Sequence, residues 1–293
     1  MSEISKPENL SYQPTRRQLV LKASLATFAA IGAGNVTAMV TTPTAAQAQQ
    51  ITDAAILNFA LNLEYLEAEY YLRAVTGHGL SPSQVTGVGI QGQVIGGSMV
   101  PFQSSAIQQY ATQIAQDEND HVNFLRAALG AAAIAEPAID LVNSFNLLAQ
   151  AAGLGGSFDP FMNERNFLIG AYVFEDVGVT AYHGAAPLIQ SKSILNAAAG
   201  ILAVEAYHAA NIRTAMYERS IIEPTIRISR LRRQLGDAVD RGIVVDGMSH
   251  IIQANKNGIA PERTPGEVLN IVYAGGASGN FGFFPNRVNG EIQ

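Results

Sequence analysis

Glu118-Asn-Asp-His121 and Glu205-Ala-Tyr-His208 constrain this chain more than any other feature of its 293 residues. Each is a Glu-x-x-His. On a helix, residues three apart share a face, one turn above the other. Each pair can therefore offer a carboxylate and an imidazole to one metal ion. Chance gives roughly a quarter of one such spacing for this composition, and the chain has two. Each pair also follows a helical segment that carries a glutamate in apolar surroundings, Glu64 before the first and Glu175 before the second.

The helical pattern places these residues. From Asp53 to Val75, Leu57, Ala60, Leu61, Glu64, Ala68 and Tyr71 recur at helical spacing, with Gly77 as a stop. Residues 77–104, rich in glycine, serine, proline and valine, form a long connection with short strand-like pieces around Val85–Ile95. Ser105–Leu129 is the second helix, and Pro137–Ala151 reads as a shorter one. Asp159-Pro160 reads as the start of a third long helix running to about Gly184. A fourth starts at Ser191 or Ser193 and ends before Pro224. The later sequence is an extension: a helix over Ile226–Val239 with Arg230, Arg232 and Arg233, a capping box at Thr264–Glu267 opening a helix through Tyr273, and an irregular tail from Gly275 to Gln293.

One logic thus repeats twice: a helix with a glutamate, then a helix with Glu-x-x-His. Four carboxylates facing one another in an apolar core repel and take up protons. Two divalent cations remove the conflict, as in dinuclear carboxylate sites of four-helix bundles. The expected ligands are Glu64, Glu118, His121, Glu175, Glu205 and His208. The bland alternative is a set of solvated helix-face residues. It suits the polar stretch Asp117–His121 but not Glu175 or Glu205, whose neighbours are largely apolar. Glu67 is the nearest rival of Glu64, and Glu69 is expected to face water. Tyr71, Tyr172, Tyr182 and Tyr207 are either ligand partners or ordinary core tyrosines. His183 is expected near a helix end, and His78 and His250 carry no ligand pattern.

The chain has no cysteine, which excludes disulfides, zinc–thiolate sites and iron–sulfur clusters. Oxygen and nitrogen ligands suit iron or manganese. A net charge of −6 argues against a nucleic-acid partner. Residues 1–48 read as an export leader: Thr15-Arg16-Arg17-Gln18-Leu19-Val20 is a twin-arginine pattern, an alanine-rich run follows, and Ala46-Gln47-Ala48 is a small-x-small cleavage site. Gly32, Gly34 and Asn35 interrupt the run, so no stable membrane span is expected in the mature form. The expected organisation is a leader over 1–48, a four-helix bundle over 49–222 and an extension over 223–293, delivered to the periplasm or cell envelope.

The segments Ala60–Ala68 and Ile114–Arg126, with the tail text Arg263-Thr264-Pro265, Val268–Tyr273, Phe283-Phe284-Pro285-Asn286 and Asn289-Gly290, resemble the ferritin-like domain family. Within it they are similar to the group of plant desiccation-related proteins and exported bacterial relatives. The likeness covers nearly all of 51–293. One departure is Gly279-Asn280-Phe281-Gly282, where that group tends to have a double glycine before the phenylalanines. The resemblance implies an all-α ferritin-like four-helix bundle with a long first connection and an irregular C-terminal extension, the same six ligands, and a stress association. Three functions follow as expectations. One is a redox enzyme with two iron or manganese ions, acting on dioxygen or peroxide by metal oxidation or peroxide removal. The second is a stress-protective protein whose metals are structural. The third, an iron-storage shell, is disfavoured because the long connection and tail would obstruct shell packing. Homo-oligomerisation stays open.

Overall fold

The computed structural model describes residues 51–236, 240–276 and 282–293; the expected leader lies outside them. Four long helices, α1 (Asp53–Thr76), α2 (Ser105–Leu129), α4 (Glu164–Ala185) and α5 (Lys192–Glu218), form the bundle, and a short α3 (Asn143–Ala151) lies between the two halves of the sequence. Each long helix starts on a side-chain cap. Thr52, Ser104, Asn163 and Ser191 accept hydrogen bonds from the amides of Ala55, Ile107, Asn166 and Ile194. Gly77 closes α1 at φ 79°, a left-handed conformation open to glycine. α1 pairs along its length with α2, and α4 with α5, so the bundle is two hairpins laid together.

Burial differs among the helices in a way that shapes the site. α2 buries one stripe, Ile107, Ala111, Ile114, Ala115, Glu118, His121, Val122 and Leu125, and exposes the rest. α1 and α4 are buried on nearly all sides, because the first connection and the C-terminal extension cover their outer faces. That explains their nearly continuous apolar text.

Local pairings correct three expected boundaries. Pro137–Ala151 is helical only from Asn143. Ile139–Asp140 (β2) instead runs parallel to Val94–Ile95 (β1), and Asp140 then accepts from the amides of Val142 and Asn143 at 2.8 and 2.7 Å. Backbone pairing with a strand far upstream outweighs local helical periodicity there. The third long helix starts at Glu164 rather than Asp159. The Asp159 carboxylate caps only a turn at Phe161, at 2.9 Å, while Asn163 takes the true cap. The helix expected over Ile226–Val239 is α6 (Glu223–Gly236), with Pro224 in its first turn; residues 237–239 lie outside the described residues.

The extension is bound to the bundle by charge and by aromatic packing. After α6 come a small hairpin, β3 (Val244–Val245) and β4 (Met248–Ser249), and then α7 (Pro265–Val272), opened by the expected capping box of Thr264 and Glu267. Asp176 of α4 receives Arg213 of α5 at 2.8 Å and Arg232 of α6 at 2.7 Å. Asp240 receives Arg232 and Arg263 at 2.7 and 2.9 Å. Of the basic cluster expected on this helix, Arg232 is buried and Arg230 and Arg233 are exposed. Phe283 packs 5.0 Å from both Phe145 and Phe174, ring centre to ring centre. Asn62 of α1 exchanges two hydrogen bonds with the backbone of Asn289. No described helix is long and apolar enough to cross a membrane.

Candidate metal centre

Glu64 of α1, Glu118 and His121 of α2, Glu175 of α4, and Glu205 and His208 of α5 each sit near the middle of their helix. None is more than 8% exposed. The structure brings all six together. Their donor atoms form two overlapping sets, Glu64, Glu118, His121 and Glu205 in one, Glu118, Glu175 and His208 in the other, with the atoms of each set within 4.8 Å of one another. Glu118 belongs to both. Its Oε2 is 3.3 Å from His121 Nδ1 and its Oε1 is 3.0 Å from His208 Nδ1. One carboxylate thus spans two imidazoles whose ring centres are 6.3 Å apart. His121 Nδ1 lies 3.2 Å from Glu64 and 3.6 Å from Glu205, and His208 Nδ1 lies 3.7 Å from Glu175.

A surrounding layer orients these groups. The Tyr71 hydroxyl donates to Glu175 and the Tyr182 hydroxyl donates to Glu64, which makes these two tyrosines partners of the site. Tyr172 serves the extension through Ser229 at 2.8 Å, and Tyr207 is 72% exposed. Sequence reasoning missed Asp117. Its Oδ2 lies 3.0 Å from His208 Nε2. Accepting the Nε2 proton there leaves the Nδ1 lone pair aimed at Glu118 and Glu175, the tautomer a metal needs. The available signal was an acidic residue just before Glu118.

Glu67 is buried as well but stands outside both sets. Glu69 corrects an expectation: it is 2% exposed rather than solvated. The first connection folds over it, so Arg73 Nε meets it at 2.6 Å and the Leu80 amide at 2.7 Å. His78, His183 and His250 join neither set; His183 lies in the last turn of α4, against the Pro261 carbonyl.

The electrostatics are those of crowded buried carboxylates. Burial pushes Glu64 up to about 7, with His121 pulling the other way, and pushes Glu175 up to about 8. Burial raises Glu205 and Glu67 well above the usual range, reinforced by the neighbouring glutamates. Glu118 goes down: burial would raise it, but the imidazoles of His121 and His208, 3.3 and 3.0 Å away, outweigh that. Burial lowers the histidines, yet their carboxylate partners outweigh it and hold His121 at about 11 and His208 at about 9. One glycine makes room for this crowding. A Cβ on Gly178 of α4 would overlap the Glu205 carboxylate and come within 3.5 Å of Glu67 Oε1.

Several donor atoms remain unanswered. Glu118 Oε1, Glu175 Oε2, both Glu205 oxygens and His208 Nδ1 are buried and make no hydrogen bond. Each such atom costs about 1–3 kcal/mol in a protein interior. All five belong to the six converging residues. Metal binding would answer them together, and their oxygen and nitrogen chemistry fits iron or manganese.

The chain matches the ferritin-like domain over residues 52–218. It is 31% identical over 271 residues to the ferritin-like catalase Nec2 of Nesocodon mauritianus, covering 82% of this chain and 84% of that protein. It is 34% identical over 249 residues to the desiccation-related protein PCC13-62 of Craterostigma plantagineum, covering 74% and 76%. Bundle, converging carboxylates and sequence likeness agree, and the chain belongs to the ferritin-like domain family.

Proposed function

We propose that this protein is an exported redox enzyme that holds a dinuclear iron or manganese centre and removes peroxide. The observation that carries the reading is the group of five buried donor atoms that make no hydrogen bond and crowd one another, shared among Glu118, Glu175, Glu205 and His208. Glu64, Glu118, His121 and Glu205 would hold one ion, and Glu118, Glu175 and His208 the other, with Glu118 common to both. Bound there, the ions would supply the two-electron redox chemistry by which two peroxide molecules give two waters and one dioxygen. The likeness to a protein named a ferritin-like catalase favours peroxide over ferrous oxidation.

The protein's own part is positioning and proton handling. Asp117 fixes the His208 tautomer. Tyr71 and Tyr182 hold Glu175 and Glu64 in place by donating to the oxygen that faces away from the imidazoles. In the metal-free protein Glu175 and Glu205, both raised by burial, hold protons that metal binding would displace. Ile114, Ala115, Val122, Val177, Ala209 and Ile212, each within four residues of a donor on the same helix, are buried, and burial of the donors among such apolar text strengthens the charge interactions between them. The absence of cysteine means that no thiol competes for peroxide.

The second reading, metals that only stabilise a protective protein, is favoured by the likeness to a desiccation-related protein. Metal-analysed protein given peroxide on an oxygen electrode separates the two. One oxygen per two peroxides supports the enzyme; a fully loaded, stable protein that evolves none supports the structural reading. Export by the twin-arginine route is part of the proposal, and fractionation of cells carrying Arg16→Lys, Arg17→Lys tests it. Retention in the cytoplasm is expected, and normal export of this variant refutes the route.

A further inference from the structure

The hairpins α1–α2 and α4–α5 pack along their lengths, whereas α2 and α5 touch at few points. A cleft of about 270 Å³ opens between them, and its lining includes Tyr110, Gln113, Asp117, His208 and Asn211. The residues come from one face of each helix, spaced three or four apart. The inner wall is His208, itself 5% exposed and one of the converging donors. Asp117, with its side chain 33% exposed, stands beside it. Asn211 adds a buried carbonyl oxygen that accepts no hydrogen bond. The lining holds a carboxylate, two amides, two phenols and an imidazole, and no lysine or arginine.

Two other cavities of comparable size suit a cation less well. One, about 210 Å³, runs past Leu57, Phe124, Ile194 and Ile201 to Tyr182 and is almost wholly apolar, so an ion would shed water there with nothing in exchange. The other, about 290 Å³, has Arg213 and Arg263 in its lining beside Asp176 and Asp240, whose carboxylates those guanidinium groups already occupy, and it reaches none of the six converging residues. The α2–α5 cleft alone of the three joins water to a donor of the centre through oxygen groups that can replace an ion's hydration one ligand at a time.

We propose that this cleft is the port through which divalent metal ions load the centre, with the Asp117 carboxylate and the Asn211 carbonyl oxygen as transient ligands on the way to His208. The proposal rests on the dinuclear reading above and adds the route and the residues that serve it.

The test is the rate at which metal-free full-length protein takes up cobalt(II), followed by stopped-flow visible absorption, with final stoichiometry from elemental analysis. Asn211→Trp and Gln113→Trp fill the cleft from opposite walls and replace no converging donor. Both should load on the order of tenfold more slowly and still reach the stoichiometry and melting temperature of the unaltered protein. Ala197→Trp, in the apolar cavity, should load at the unaltered rate. Uptake by the unaltered protein should also slow as salt screens Asp117. Normal loading rates in both cleft variants overturn the port, as does slow loading confined to Ala197→Trp. Failure of the unaltered protein to bind two ions overturns instead the dinuclear reading beneath it.

Discussion

Replacing Gly178 with alanine separates the fold from the centre. The new Cβ would lie 3.0 Å from Glu205 Cδ and closer still to its Oε2. Ordinary contact requires the carboxylate to retreat by on the order of 1 Å. Glu205 is a flexible side chain, so the retreat costs the fold little, and alanine in mid-helix returns up to about 1 kcal/mol of helix propensity. The metal-free variant should therefore melt close to the unaltered protein. A donor carboxylate has no such latitude, because an oxygen bonds a first-row ion at about 2.0–2.2 Å. Losing Glu205 from the set it shares with Glu64, Glu118 and His121 should weaken that ion by about 10–100-fold, or about 1.4–2.8 kcal/mol. The second ion, held without Glu205, should be nearly unaffected. Competition against a chelator, read as two successive dissociation constants, measures this directly. Two unchanged constants would refute the placement of Glu205 among the ligands, and a large fall in metal-free stability would refute the claim that Gly178 serves the centre rather than the helix.

Asp117→Ala should weaken the other ion by about 10–100-fold, since His208 loses the group that fixes its tautomer; the same chelator competition should show the lower-affinity step moving. The stability of metal-free protein should fall as pH rises from about 5 to about 9. Glu64 and Glu175 are raised to about 7 and about 8, so the unfolded chain releases their protons first. His208, raised to about 9, acts in the same direction, its stabilisation being complete below its unfolded value and lost as pH passes its folded one. Urea titrations across that range check the slope, and a rise in stability would contradict it. Metal affinity should increase over the same window, because binding displaces those protons. Asp240→Ala should cost about 3–5 kcal/mol, because Arg232 and Arg263 lose their shared buried carboxylate; urea denaturation measures it.

The bundle and the converging residues were legible because each depends on local spacing. Glutamate in apolar text, three residues from histidine or alone on a helix, is costly enough that its presence implies compensation. What escaped depends on partners distant in sequence. Asp117 reads as one more polar residue in an acidic stretch, since the imidazole it orients is 91 residues away. Glu69 reads as solvated until the backbone at Leu80 closes over it. Ile139 and Asp140 fit a helical pattern, and only the backbone at Val94 and Ile95 draws them into extended form. Asp159-Pro160 carries a sound start signal, but Asn163 offers a cap nearer the first continuous apolar turn.

Glu175 and Asp176 show why this family member needs its extension. Adjacent residues on a helix point about 100° apart, so two neighbouring buried carboxylates on α4 serve different surroundings. Glu175 faces His208 and Tyr71, while Asp176 faces Arg213 of α5 and Arg232 of α6. Asp176 is held low because the two arginines outweigh its burial, whereas Glu175 has no arginine partner and is raised. The same backbone therefore presents one permanently charged carboxylate to the extension and one poised carboxylate to the centre. Arg213 ties the arrangement further, donating to carbonyls of Arg241, Gly242, His250 and Ile251 as well as to Asp176. The rotation of α4, and with it the aim of Glu175, is thereby held jointly by Arg213 of α5 and by residues of the extension. A bundle stripped of residues 223–293 would keep Arg213 beside Asp176 but lose Arg232 and the carbonyls that seat Arg213, and it should bind its second ion more weakly even where it still folds.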